Sequence, residues 1–190
     1  SLENIINYNI QNNIKLFRIT SGLIPFGSSD INKIPWWDEF SAKLTLIGEK
    51  IKSSDMRVTM HPGQYTVLNS PNDDVVKRSI DDLKYHTKIL DSLGLDIDSK
   101  IILHIGGVYG EKDKAINRFI TNFNLLDQNI KDRMVIENDD RLFNIEDVLN
   151  ISEKVKIPVV FDNLHNEVLQ SNHNETAEYW IDRCSKTWNK

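Results

Sequence analysis

The stretch MRVTMHPGQY, residues 56–65, places a short apolar run directly before a histidine, a turn and a tyrosine. The run has strand length, and Pro62 and Gly63 force the chain to turn straight after it. The arrangement recurs along the chain. IIL runs into His104, MVI into Glu137, and PVVF into Asp162, with His165 three residues further on. Histidines and carboxylates at matching strand ends are hard to assign to packing alone. They point to one site assembled at one face of a parallel α/β structure.

Working outward, the chain alternates strand and helix. Residues 14–19, 56–60, 101–105, 133–137 and 158–162 read as strands. Their continuous apolar runs suit a parallel sheet covered by helices. Phe40, Leu44, Ile47 and Ile51 fall at helical spacing. Val76, Ile80, Leu83, Thr87 and Leu90 mark a second helix over 73–93, with Asn72 or Asp73 offering a cap and Gly94 a stop. Ala115, Phe119, Phe123 and Leu126 define the inner face of a third, after the loop GGVYGEK. Asn144 caps a helix carrying Ile145, Val148, Leu149 and Ile151, and 174–184 reads as a last helix.

Two parallel architectures compete. A doubly wound sheet binds ligands where strand order reverses. A closed (β/α)8 barrel draws site residues from many strand ends. Ligand-type residues after successive strands favour the barrel. A full TIM barrel takes about 250 residues, and this chain has 190. The expectation is an incomplete α/β TIM barrel with about five to six βα units. It forms a single domain over residues 1–190, without the barrel's first strand and last C-terminal strands.

Apolar residues at 39% and charged residues at 27% are ordinary for a soluble globular chain. A net charge of −5 argues against a broad electrostatic grip on nucleic acid, while leaving room for a local basic groove. Cys184 is the one cysteine, so no internal disulfide forms and an intracellular, reducing location is expected. Its thiol reads as buried or incidental. No stretch is apolar and long enough to cross a membrane, and no signal peptide opens the chain. The first residue is Ser1, so the N-terminus reads as trimmed or cut from a longer protein.

His61 reads either as a neutral imidazole ligand or as a histidine bonded to loop carbonyls. His104, on an apolar strand, would be a core group but for its match to His61. A buried Glu137 needs a partner charge, either a cation or Arg133 or Arg141. Asp162 and His165 form a D-x-x-H pair. Mixed histidine and carboxylate donors suit Zn²⁺, Mn²⁺ or Fe²⁺, and ions bridged by a carboxylate suit displacement at phosphorus. His86 reads as surface or partly buried packing and His173 as exposed. Gly106 and Gly107 fit either a phosphate approach or a tight turn. Trp36, Trp37, Trp180 and Trp188 read as packing.

HPGQY at 61–65, HIGGVYGEK at 104–112, IENDDR at 136–141, the FD-x-x-H run at 161–165 and LFRITSGLIPF at 16–26 together resemble the UV damage endonuclease family. The resemblance implies a (β/α)8 hydrolase, related to endonuclease IV and to xylose-isomerase-like sugar enzymes. It nicks damaged double-stranded DNA 5′ to photoproducts and other distorting lesions and uses divalent ions, usually manganese, with Zn²⁺ as an alternative. Carried onto this chain, it makes His61, His104, Glu137, Asp162 and His165 metal ligands, with Glu137 and His104 catalytic. Gln64 and Tyr65 would insert into the duplex, and Lys112 would contact a phosphate or anchor the loop. A monomer is expected. Ser29 stands where the family pattern often has a histidine. A sugar isomerase or epimerase of the same barrel type, or a non-catalytic damage-binding remnant, are the alternative readings.

Overall fold

Among the described residues, five parallel strands lie side by side in chain order: β1 (Leu16–Ile19), β2 (Arg57–Met60), β3 (Lys100–His104), β4 (Met134–Glu137) and β5 (Val159–Val160). The computed structural model describes residues 1–172 and 174–188. His173 and its expected exposure therefore lie outside the described residues. The order β1-β2-β3-β4-β5 contains no reversal. A doubly wound sheet requires one, so the fold is the sequential parallel arrangement of a barrel, present in part.

Each strand is followed by a helical layer whose apolar face covers the sheet. After β1 come α2 (Trp36–Glu39) and α3 (Ser41–Ser53), and after β2 comes α4 (Asp73–Ser92). Helices α5 (Lys112–Asn124) and α6 (Gln128–Arg133) follow β3, α7 (Ile145–Val155) follows β4, and α8 (Asn163–Val168) and α9 (Ala177–Ser185) follow β5. The chain opens with α1 (Leu2–Gln11), which the periodicity did not reveal. Nor did it reveal α6 and α8, each too short to express a 3.6-residue repeat.

The longer helices form where capping and periodicity agree. The Asn72 side chain accepts from the Asp74 and Val75 amides at the start of α4. Beyond its end Gly94 adopts φ +65°, the left-handed conformation that releases the chain. Asn144 and Asp147 form a reciprocal capping box on α7. Leu44, Ile47, Ile51, Leu83, Leu90, Phe119, Phe123, Val148 and Leu149 all enter the core with Met60, Ile101, Leu103 and Ile136 of the sheet. Phe40 departs from expectation. It sits at the boundary before α3 and is exposed, so the buried face begins at Leu44.

Strand limits are narrower than the sequence implies. β1 begins at Leu16, β4 at Met134 after α6, and β5 is confined to Val159–Val160. His86 is corrected outright. It is fully buried, its Nδ1 2.7 Å from the Asp82 carbonyl and its ring against Tyr85. Burial pushes its pKa below the ordinary histidine value. Cys184 is also buried, and desolvation pushes its thiol up to about 12, so it carries no nucleophile at neutral pH.

Arg133 ties α6 to the turn before β3. It is almost fully buried. Its Nη2 donates to Asp91 Oδ1 at 2.7 Å and to the Leu95 carbonyl at 2.8 Å, while Nη1 donates to the Ser99 and Asp96 carbonyls. That role removes it as a partner for Glu137.

Candidate metal centre

β3 and β4 pair with His104 opposite Glu137, so both side chains leave the sheet at one level. His61 follows the last residue of the neighbouring β2. Glu137 is only 4% exposed. Its Oε2 lies 3.2 Å from His61 Nε2 and 3.4 Å from His104 Nε2. Ligand atoms of His61, His104 and Glu137 all fall within 4.8 Å of one another, a group that could hold a metal ion.

The protonation pattern suits that use. His61 Nδ1 lies 2.9 Å from the Pro62 carbonyl, an acceptor that would hold the ring proton on Nδ1 when a cation takes the Nε2 lone pair. Burial pushes the His104 pKa down against the pull of Glu137, keeping its imidazole neutral. Arg133 is engaged elsewhere, and Arg141 sits 3.8 Å from Asp140. A carboxylate this buried, beside a neutral imidazole and without a guanidinium, is an anion in need of a cation.

The other two expected ligands are placed differently. The His165 ring centroid is 5.4 Å from that of His104, which is itself 5.0 Å from that of His61. His165 Nδ1 lies 2.8 Å from the Asn138 carbonyl, which again leaves Nε2 for other work. Asp162 is turned to its own helix. Its Oδ1 caps α8 by accepting from the His165 amide at 2.9 Å. Neither residue belongs to the close group of three.

Asn138 was missed by the sequence reading although it sits inside IENDDR. It is fully buried and exchanges two 2.9 Å hydrogen bonds with the Asp162 backbone. It thus fixes β4 to the segment carrying Asp162 and His165. Its neighbour Asp139 accepts from the Arg141, Leu142 and Phe143 amides, shaping the loop that brings Arg141 to the cleft.

That cleft, of about 890 Å³, is lined by His61, Gln64, Tyr65, His104, Tyr109 and Arg141 among others. The HPGQY loop is anchored from behind. Thr66 Oγ1 donates to Asp82 at 2.7 Å and the Val67 amide to Ser79 at 2.9 Å, both on α4. Its tip is left out: Gln64 is exposed and Tyr65 is 83% exposed, so the tyrosine is not packed on Pro62. Gly106 and Gly107 lie in the irregular loop between β3 and the turn at 109–110, and the first of them has a defined reason. Gly106 has φ +111°, and a Cβ there would come within 2.4 Å of Asn69 Oδ1. Lys112 pairs with Asp147 at 2.7 Å, joining α5 to α7. Ser29 lies outside this cleft, in a neighbouring one.

Comparison with known proteins fits this geometry. The family model described as UV-endonuclease UvdE matches residues 1–190. The UV DNA damage endonuclease of Clostridium perfringens (strain 13 / Type A) is 52% identical over 189 residues, 100% of this chain and 46% of that protein. The crystal structure of SacUVDE superposes with a TM-score of 0.93 at 44% identity, covering 98% of this chain and 63% of that one. Endonuclease IV from Thermus thermophilus shares the fold at 13% identity, with a TM-score of 0.68 over 98% of this chain and 67% of that one. The chain thus spans about half of the curated relative's length.

Proposed function

We propose, for a chain that belongs to the UV-endonuclease UvdE family, that the protein nicks damaged double-stranded DNA on the 5′ side of photoproducts and other distorting lesions. The observation that carries this reading is the convergence of His61, His104 and Glu137 in a cleft whose rim bears the exposed Gln64 and Tyr65.

His61, His104 and Glu137 would hold a divalent cation, with His165 beside them. Manganese is the first candidate and zinc the second, since two imidazoles and a carboxylate without thiolate suit either. Such a cation supplies Lewis-acid polarisation of a phosphodiester oxygen.

The residues of the chain do the rest. His104, held neutral by burial, offers a lone pair in place of a proton. Glu137 fixes negative charge at the centre of the group. Tyr65 projects an aromatic face and Gln64 an amide, a pair fitted to enter a base step that has already lost stacking. Selection then acts through deformability of the duplex, with no base-edge code needed.

The test is incision of ultraviolet-irradiated and intact duplexes, with Mn²⁺ and with chelator. Metal-dependent nicking 5′ to the lesion is expected, with no turnover of a panel of aldoses. Aldose turnover without nicking would replace this reading with the sugar isomerase. Damage binding without nicking in Mn²⁺ would replace it with a binding remnant.

A further inference from the structure

A second cleft, of about 540 Å³, adjoins the first, and Arg78 lines both. One wall is the face of α4 carrying Lys77, Arg78, Lys84 and Lys88; the other is the loop of Gly27, Ser28, Ser29 and Asp30. The loop is pressed onto the helix. The Ile24 amide donates to Tyr85 Oη at 3.0 Å, and a Cβ on Gly27 would come within 2.2 Å of the Tyr85 ring. This is a built groove, not a loose scatter of lysines.

Four cations line it against two carboxylates. Asp81 is taken by Lys77 at 2.9 Å, and Asp30 on the facing loop also acts on Lys77. Arg78 and Lys84 make no ion pair among the described residues. Lys88 is held with its Nζ 3.2 Å from the centroid of Trp37, and Trp37 is braced edge-on by Trp36 at 5.5 Å. So three exposed cations lack a carboxylate partner, within a chain of net charge −5. Ser28 and Ser29 add hydroxyl donors on the facing wall.

We propose that this groove is a docking track for the sugar-phosphate backbone of duplex DNA, leading away from the metal centre. The inference rests on the nuclease reading above. At 1.5 Å of rise per helical residue, Arg78 to Lys88 spans ~15 Å. One DNA strand places a phosphate about every 3.4 Å of helix axis, so the three cations cover roughly four phosphates. Phosphate contacts of this kind fix register and carry no sequence or lesion information. The track therefore holds the flank of the substrate while Gln64 and Tyr65 examine the damage.

The experiment is a salt titration of duplex binding by the full chain, with irradiated and intact duplexes, for the wild type and the Arg78→Ala, Lys84→Ala, Lys88→Ala triple variant. Each lost contact lowers the slope of log K against log salt by about 0.9. The triple variant should lose about 2 to 3 from the slope and bind roughly 100-fold more weakly at 0.1 M salt. The ratio of irradiated to intact affinity should not change. A second variant, Arg78→Lys, Lys84→Arg, Lys88→Arg, should restore the wild-type slope and guards against a folding defect. An unchanged slope in a triple variant that still nicks lesions overturns the track and leaves the nuclease reading standing. A wild type without salt-dependent duplex binding overturns both.

Discussion

His104 and Glu137 hold paired register positions at the ends of β3 and β4, and their Nε2 and Oε2 atoms are 3.4 Å apart. Register alone brings them together, because paired residues on adjacent parallel strands leave the sheet on the same side. His61 joins them from the neighbouring strand end, and the three form the nucleus of the site.

Replacing Glu137 by Gln keeps the shape and removes the charge. Metal affinity should fall at least about 10- to 100-fold, and nicking should fall with it, while lesion binding survives. Stability gives a separate readout. Metal at 100 times its Kd should stabilise the wild type by about 2.7 kcal/mol, raising Tm by roughly 5–10 °C. At the same metal concentration, calorimetric scans with Mn²⁺ and with chelator should separate in the Glu137→Gln variant by no more than about half the wild-type interval. A separation as wide as the wild type's would remove Glu137 from the ligand set.

Tyr65 is 83% exposed, so Tyr65→Ala should leave Tm unchanged. Stacking on a base is worth about 1–3 kcal/mol. Preference for irradiated over intact duplex, measured by competition binding, should therefore drop roughly tenfold. Tyr65→Phe should keep most of it. Undiminished preference in the alanine variant would exclude insertion.

Arg133 spends its guanidinium on Asp91 and on the Leu95, Asp96 and Ser99 backbone in a buried setting. Arg133→Ala leaves the Leu95, Asp96 and Ser99 carbonyls without their donor, while half-exposed Asp91 turns to water, and should cost about 1–3 kcal/mol in denaturant unfolding. Arg133→Lys should recover only part, since an ammonium cannot reproduce the planar fork.

His86 titrates below its ordinary value because burial disfavours the imidazolium. An unfolded chain binds this proton at about pH 6.5, whereas the folded one resists it. Between the lowered folded value and about 6.5, the unfolded state binds more protons, so stability falls as pH drops through that window. Above about pH 7 it should be flat with respect to this group. Denaturant unfolding at pH 5.5 and 7.5 should show the loss, and His86→Leu should reduce it. An equal loss in both proteins would assign the pH response to other groups.

The linear order of residues determined the strand ends and the large helices. A continuous apolar run stopped by Pro62–Gly63, or a repeat such as Leu83, Thr87 and Leu90, is a local signal that short-range geometry obeys. The full burial of His86 was not read from it, although the residue stands three after Leu83 and four before Leu90 on the apolar face of α4. Tertiary structure decided the rest. Short helices α1, α6 and α8 carry too little period to be read. Asp162 serves its own helix cap through a backbone turn that spacing does not encode. Arg133 is claimed by Asp91, which leaves Glu137 to the histidines. Strand order without reversal, and the register that sets His104 against Glu137, come from how the sheet pairs and curves. Convergence of distant side chains is a property of that pairing, and no local pattern in the chain contains it.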